Sequence, residues 1–114
     1  MRKITWGYMF SSRKRRKGRF SSPNSYYSIT ICSFNRDMVF KNFDYARIAA
    51  SSIIAFEQNG MVNTICYTLM PDHLHWLFQL NDKVELSELI KQYKSVTTIK
   101  INKHRNLNQK VWQS

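Results

Sequence analysis

His73 and His75 are separated by a single residue in the segment His73-Leu74-His75-Trp76-Leu77. On an extended chain such a pair projects from one side, with Cβ atoms roughly 6.5–7 Å apart. Neutral imidazoles at that spacing can converge on one divalent ion. A bare pair is more often two unrelated polar side chains on a wet sheet face, and two ligands alone hold a metal weakly. The neighbouring candidates are less pointed. Asp72 can accept a hydrogen bond or assist a metal, although stabilising the turn it sits in is the simpler role. Gln79 shares the parity of the histidines, and His104, between Lys103 and Arg105, adds positive charge near a helix end. Cys32 and Cys66 lack CxxC spacing, which argues against a disulfide scaffold or zinc ribbon. They are expected to be small buried residues of a reducing cytoplasm.

The elements that must position the histidines can be read from hydropathy and turn residues. Residues 1–24 form a basic, Ser-rich arm ending in the turn signal Ser22-Pro23-Asn24. Residues 25–114 form one domain. Its first strand is predicted over Tyr26–Phe34, rich in β-branched and aromatic residues. Asn42-Phe43-Asp44 can cap a helix running to about Asn59, with Tyr45, Ala49, Ile53 and Phe56 on one stripe and Gly60 after it. Two apolar runs, residues 62–70 and 73–80, are split only by Pro71-Asp72, so they must pair as an antiparallel hairpin. A second helix is predicted from about Glu85 to Lys103, with Leu86, Leu89, Ile90, Tyr93, Thr97 and Ile101 inward. Val111-Trp112-Gln113 reads as the start of a fourth strand.

The order β-α-β-β-α-β is the ferredoxin-like pattern of the α+β class, an antiparallel sheet with its helices on one face. Pleating then divides the third strand. Leu74, Trp76, Phe78 and Leu80 should face the helices, and His73 and His75 the open side. Tyr67 shares its parity with Asn63, Ile65 and Leu69, and the pattern does not decide which face that set takes.

Charge points to the partner. Eighteen Lys and Arg against seven Asp and Glu give +11 and a pI near 10.0. Nine of the basic residues fall within residues 1–36, which hold no acidic residue. Such an excess suits a polyanion, either nucleic acid or an anionic surface. The run Arg13, Lys14, Arg15, Arg16, Lys17 and Arg19 would bind phosphates through counterion release. No apolar run is long enough to span a membrane, and the N-terminus lacks the apolar stretch of a signal peptide.

The segment Leu69-Met70-Pro71-Asp72-His73-Leu74-His75-Trp76-Leu77 strongly resembles the signature of the single-tyrosine HUH transposases of the insertion-sequence-200 type. Lys17-Gly18-Arg19-Phe20-Ser21, followed by Tyr27-Ser28-Ile29-Thr30, resembles the Gly-Arg-x-Ser lead of the branch associated with repetitive extragenic palindromes (REP). Val111-Trp112-Gln113 resembles the Trp-Gln segment before that branch's catalytic helix. The resemblance implies binding of single-stranded or hairpin DNA in a bacterial cytoplasm, at the nucleoid. It implies cleavage and rejoining through a 5′-phosphotyrosine, with Mg²⁺ or Mn²⁺ held by His73, His75 and a third side chain.

In that family the nucleophilic tyrosine lies on a helix after the fourth strand, and the sequence ends at Ser114 where that region would begin. No other tyrosine matches it; Tyr93 falls on the apolar stripe of the second helix. The expectation is a C-terminally truncated transposase domain that binds DNA but does not cleave it unless the helix is supplied by another chain. Family members include dimers that exchange tyrosine helices and others that do not, so a homodimer stays open. The competing reading is a nonenzymatic ferredoxin-like module for single-stranded DNA or RNA, which would not need the histidine pair.

Overall fold

A computed structural model describes residues 4–5 and 24–114. The elements run β1 (Ile4–Thr5), β2 (Tyr26–Cys32), α1 (Phe43–Gln58), β3 (Val62–Met70), β4 (His73–Leu80) and α2 (Leu86–Arg105). Two short 3₁₀ turns, Phe34–Arg36 and Val39–Lys41, join β2 to α1. The class is α+β: three antiparallel strands with two helices packed against one face.

The strand order is β1-β2-β4-β3, with β4 central and antiparallel to both neighbours. Leu74, Trp76, Phe78 and Leu80 are all buried and share one core with Ile29 and Ile31 of β2. Ala49, Ile53 and Phe56 of α1 and Leu86, Leu89, Ile90, Tyr93 and Ile101 of α2 cover them. The pleat therefore divides β4 as its alternation predicts. Burying large apolar side chains of this kind contributes roughly 1.5–3 kcal/mol each, which is why β4 cannot slip by one residue.

Helix α1 begins and ends on the signals in the sequence. The Asn42 side-chain oxygen accepts from the backbone N–H groups of Asp44 and Tyr45, capping α1. Gly60 follows with φ +77, and a Cβ there would lie 2.9 Å from the Lys83 ammonium. Helix α2 ends at Asn106, also left-handed.

Three expectations need correction. Residues 111–113 do not form a fourth strand; Trp112 makes an isolated antiparallel bridge to Ser33. Two backbone hydrogen bonds flank the bridge, Phe34 N–H to the Val111 carbonyl and Gln113 N–H to the Cys32 carbonyl. The buried indole packs on Phe40 and Tyr93 and donates to Thr97 Oγ1. Ile4–Thr5, inside the supposed arm, instead pairs in parallel with Tyr26 and Tyr27 on the free edge of β2. The cysteines are not buried either: Cys32 is half-buried and Cys66 exposed.

The exposure of Cys66 reflects an irregularity in β3. Between Thr64 and Cys66 the register against β4 shifts, leaving Ile65 as an extra residue. The shift breaks the parity that groups Asn63 with Tyr67. Asn63 pairs with Gln79 on the open face, whereas Tyr67 pairs with Trp76 on the helix side.

Candidate functional site

The hairpin turn that carries the histidines is fixed from outside. Ser33 N–H donates to the Asp72 carbonyl at 3.0 Å, and Phe40 N–H to the Pro71 carbonyl at 3.0 Å. Beyond the turn, Cys32 and Met70 flank His73 on the neighbouring strands, and Thr30 and Thr68 flank His75. All lie on the face away from the helices. The His73 side chain is 19% exposed and His75 is exposed, with ring centroids 4.7 Å apart and planes nearly perpendicular.

Each ring is held through the same nitrogen. His73 Nδ1 lies 2.7 Å from Asp72 Oδ1 and His75 Nδ1 lies 2.8 Å from Thr30 Oγ1. With a carboxylate as its neighbour, His73 Nδ1–H donates, which places the free lone pair on Nε2. His75 reaches the same state when its Nδ1–H donates to the threonine oxygen. Neither Nε2 has a hydrogen-bond partner among the described residues. Metal-binding histidines are commonly oriented in this way, by a second partner on the nitrogen opposite the ligating one.

Asp72 is occupied on both oxygens. Oδ1 accepts from His73, and Oδ2 accepts from Arg36 Nε at 3.0 Å and Nη2 at 2.9 Å. The His73 hydrogen bond, with Arg36 beside it, holds its carboxyl below the usual carboxylate range. Asp72 thus serves the turn and orients His73 rather than presenting a free oxygen to an ion. Among the described residues no group of three His, Cys, Asp or Glu side chains could hold a metal. The pair could supply two ligands, and an ion held there would need a third from outside this group.

His75 stays neutral more readily than a free imidazole, because partial burial and then the nearby His73 lower its pKa from 6.5. The tyrosines lie elsewhere. Tyr93 is fully buried and donates to the Ala49 carbonyl at 2.8 Å, and burial pushes its pKa far up. Tyr27 is in the core, Tyr45 stands edge-on to His104, and Tyr67 lies on the helix side. Tyr26 shares the histidine face but is buried opposite Gln79, about 13 Å along the strand from the position of His75.

His104, 3.3 Å from Asp44 Oδ2, joins the end of α2 to the start of α1 and takes no part in the site. Gln79 is on the histidine face, held between Asn63 and the Asn24 carbonyl. The arm residues Arg13, Lys14, Arg15, Arg16, Lys17 and Arg19 lie outside the described residues. Sequence reasoning missed two residues that hold the site, Thr30 on His75 and Arg36 on Asp72. Thr30 was recoverable, since it has the outward parity of the first strand. Arg36 was not, because its reach to Asp72 depends on the loop's backbone. Among the described residues no helix is long and apolar enough to cross a membrane.

The family model for IS200-like transposases matches residues 21–114. Among solved structures, the chain is similar to a REP-associated tyrosine transposase bound to a REP hairpin, with a TM-score of 0.65 and 18% identity. The match covers 83% of this chain and 55% of that one, so the chain spans about half the length of the relative. At this identity the likeness is one of fold. A search of curated proteins returns no significant match.

Proposed function

The chain belongs to the IS200-like transposase family, and on that premise we propose that it binds single-stranded DNA folded into hairpins at the bacterial nucleoid. The open sheet face would receive the strand to be cut, and His73 and His75 would hold Mg²⁺ or Mn²⁺ through their Nε2 atoms. One observation carries this reading: both rings are turned by an Nδ1 partner so that two unpartnered Nε2 atoms share one face. The structural relative is a transposase bound to a REP hairpin, which supports hairpin DNA as the partner class.

The reaction proposed is cleavage and rejoining of one strand through a 5′-phosphotyrosine. In it a tyrosine oxygen bonds to phosphorus as the bond to the 3′ oxygen breaks, and the reverse step restores the strand. When bound, the ion polarises and fixes a non-bridging phosphate oxygen, a Lewis-acid and templating role. The described residues contribute orientation. Asp72 and Thr30 hold the imidazoles, and the buried row Leu74, Trp76, Phe78 and Leu80 keeps β4 rigid behind them. None of Tyr26, Tyr27, Tyr45, Tyr67 and Tyr93 is placed to be the nucleophile. On this reading the described residues bind the strand and hold the ion, and cleavage uses a tyrosine from outside them, brought to this face.

The test uses labelled hairpin DNA with Mn²⁺, native and denaturing electrophoresis, and calorimetry with Mn²⁺ alone. The expected result is a salt-sensitive, noncovalent complex, with Mn²⁺ binding that disappears in a His73→Ala/His75→Ala double variant. A covalent adduct mapped to any of those five tyrosines would overturn the assignment of the nucleophile. Unchanged Mn²⁺ binding in the double variant would overturn the metal reading of the pair. Hairpin binding indifferent to Mn²⁺ and to the double substitution would favour the nonenzymatic nucleic-acid module.

A further inference from the structure

The loop after β2 contains an unusual piece of backbone. Asn35 and Arg36, two consecutive residues with side chains, both take positive φ, 56 and 55. Such backbone is strained for residues with side chains and persists only where its surroundings impose it. Here they do. Ser33 Oγ donates to the Asp37 carbonyl at 2.6 Å, Arg36 N–H to the Ser33 carbonyl, Asp37 N–H to the Phe34 carbonyl, and Phe34 N–H to the Val111 carbonyl. Ser33 is fully buried and also holds the Asp72 carbonyl. One short loop is therefore clamped both to the tail and to the turn that carries the histidines.

What the clamped loop delivers is the Arg36 guanidinium, set with two donors on a single oxygen of Asp72. The Arg36 side chain is 57% exposed, so as an ion pair it adds little to stability. Its geometric effect is larger. With Oδ2 gripped from β2's loop, the carboxylate cannot rotate away from His73, and Oδ1 remains on Nδ1. We infer that Arg36 is a positioning residue: it locks Asp72 on His73 and so fixes the His73 tautomer whose Nε2 is free for the metal. The inference rests on the metal reading of the histidine pair, and it assigns a role to a residue 37 positions upstream of His73.

The sign of the effect separates this role from simple electrostatics. Arg36 is a cation close to a cation site, so removing it should tighten Mn²⁺ binding if charge alone matters. If Arg36 positions His73, removing it should weaken Mn²⁺ binding, by roughly tenfold as for other partners of metal-binding histidines. Two measurements on the full chain decide it. The first is nitrogen NMR of the imidazoles without metal, above the histidine titration range. His73 should show a protonated Nδ1 in the native protein and lose that preference in Arg36→Ala. The second is Mn²⁺ calorimetry on the native protein, Arg36→Ala and Arg36→Lys, with thermal unfolding alongside. Affinity should fall about tenfold in Arg36→Ala and recover in part in Arg36→Lys, with similar melting temperatures. Unchanged or tighter Mn²⁺ binding in Arg36→Ala, or an unchanged His73 tautomer, would overturn the inference. If Arg36→Ala instead unfolds, the native protein and Arg36→Lys still decide it, because a His73 protonated on Nε2 in the native protein contradicts the lock. Failure of the metal reading itself is distinct: the native protein would bind no Mn²⁺ while its His73 tautomer remained as described.

Discussion

A ring nitrogen can bind a metal only while it is unprotonated, and the surroundings of His75 favour that state. Partial burial lowers its pKa first, and the neighbouring His73 adds to the effect. The unfolded chain, near the ordinary 6.5, therefore takes up a proton at higher pH than the folded one. The stability associated with His75 is complete above pH 6.5 and is lost as pH falls through the lower folded value. Proton NMR of the His75 ring in metal-free protein should give a midpoint below 6.5, and a midpoint at or above 6.5 would refute this account. At this scale the sequence was informative where parity alone decides. His73 and His75 share a face because a strand has period two, and Thr30 shares it by the same rule on β2. Arg36 follows no period. Its place depends on two left-handed residues in a loop that tertiary hydrogen bonds fix, Phe34 N–H to the Val111 carbonyl and Ser33 N–H to the Asp72 carbonyl, which local sequence does not encode.

The elements were legible where one signal dominated. Asn42 and Gly60 bound α1, and Pro71-Asp72 forces the tight hairpin between β3 and β4. They were illegible where tertiary contacts overrode local pattern. The shift between Thr64 and Cys66 reverses the expected parity of half of β3, and no residue there announces a bulge. The pairing at Trp112 stops after one bridge, and its indole in the core does the rest of the holding. Tyr93 shows the same priority of packing over chemistry. It lies edge-on to Phe56, against Trp76 and Trp112, with its hydroxyl on the Ala49 carbonyl. Tyr93→Phe should keep the ring packing and lose one buried hydrogen bond, a destabilisation of about 0.5–1.5 kcal/mol in urea unfolding. Hairpin binding should be unchanged. A folded Tyr93→Phe protein that no longer binds the hairpin would place Tyr93 in the site and contradict its structural role.

Along the whole chain, charge is divided unevenly between residues 1–23 and residues 24–114. Residues 24–114 carry ten Lys and Arg against seven Asp and Glu, so most of the +11 resides upstream of β2. On the histidine face, Ser28, Thr30, Thr68, Asn63 and Gln79 are polar but uncharged, and Arg36 at its rim is already paired with Asp72. Such a face can fit bases and sugars, but it offers few charges for neutralising phosphates. The proposed DNA affinity should then come largely from the arm, and its salt dependence should show this. Each phosphate neutralised on a single strand contributes about 0.7 to the slope of log affinity against log salt. Replacing Arg13, Lys14, Arg15, Arg16, Lys17 and Arg19 by glutamine should flatten that slope by up to about 4, if each of the six contacts one phosphate. The proposed Mn²⁺ binding at His73 and His75 should persist in the same variant, since the histidines are held by Thr30 and Asp72. Hairpin titrations from low to moderate salt would measure the slope. A slope unchanged from the native protein would move the phosphate contacts onto the domain's own lysines, such as Lys94 and Lys110.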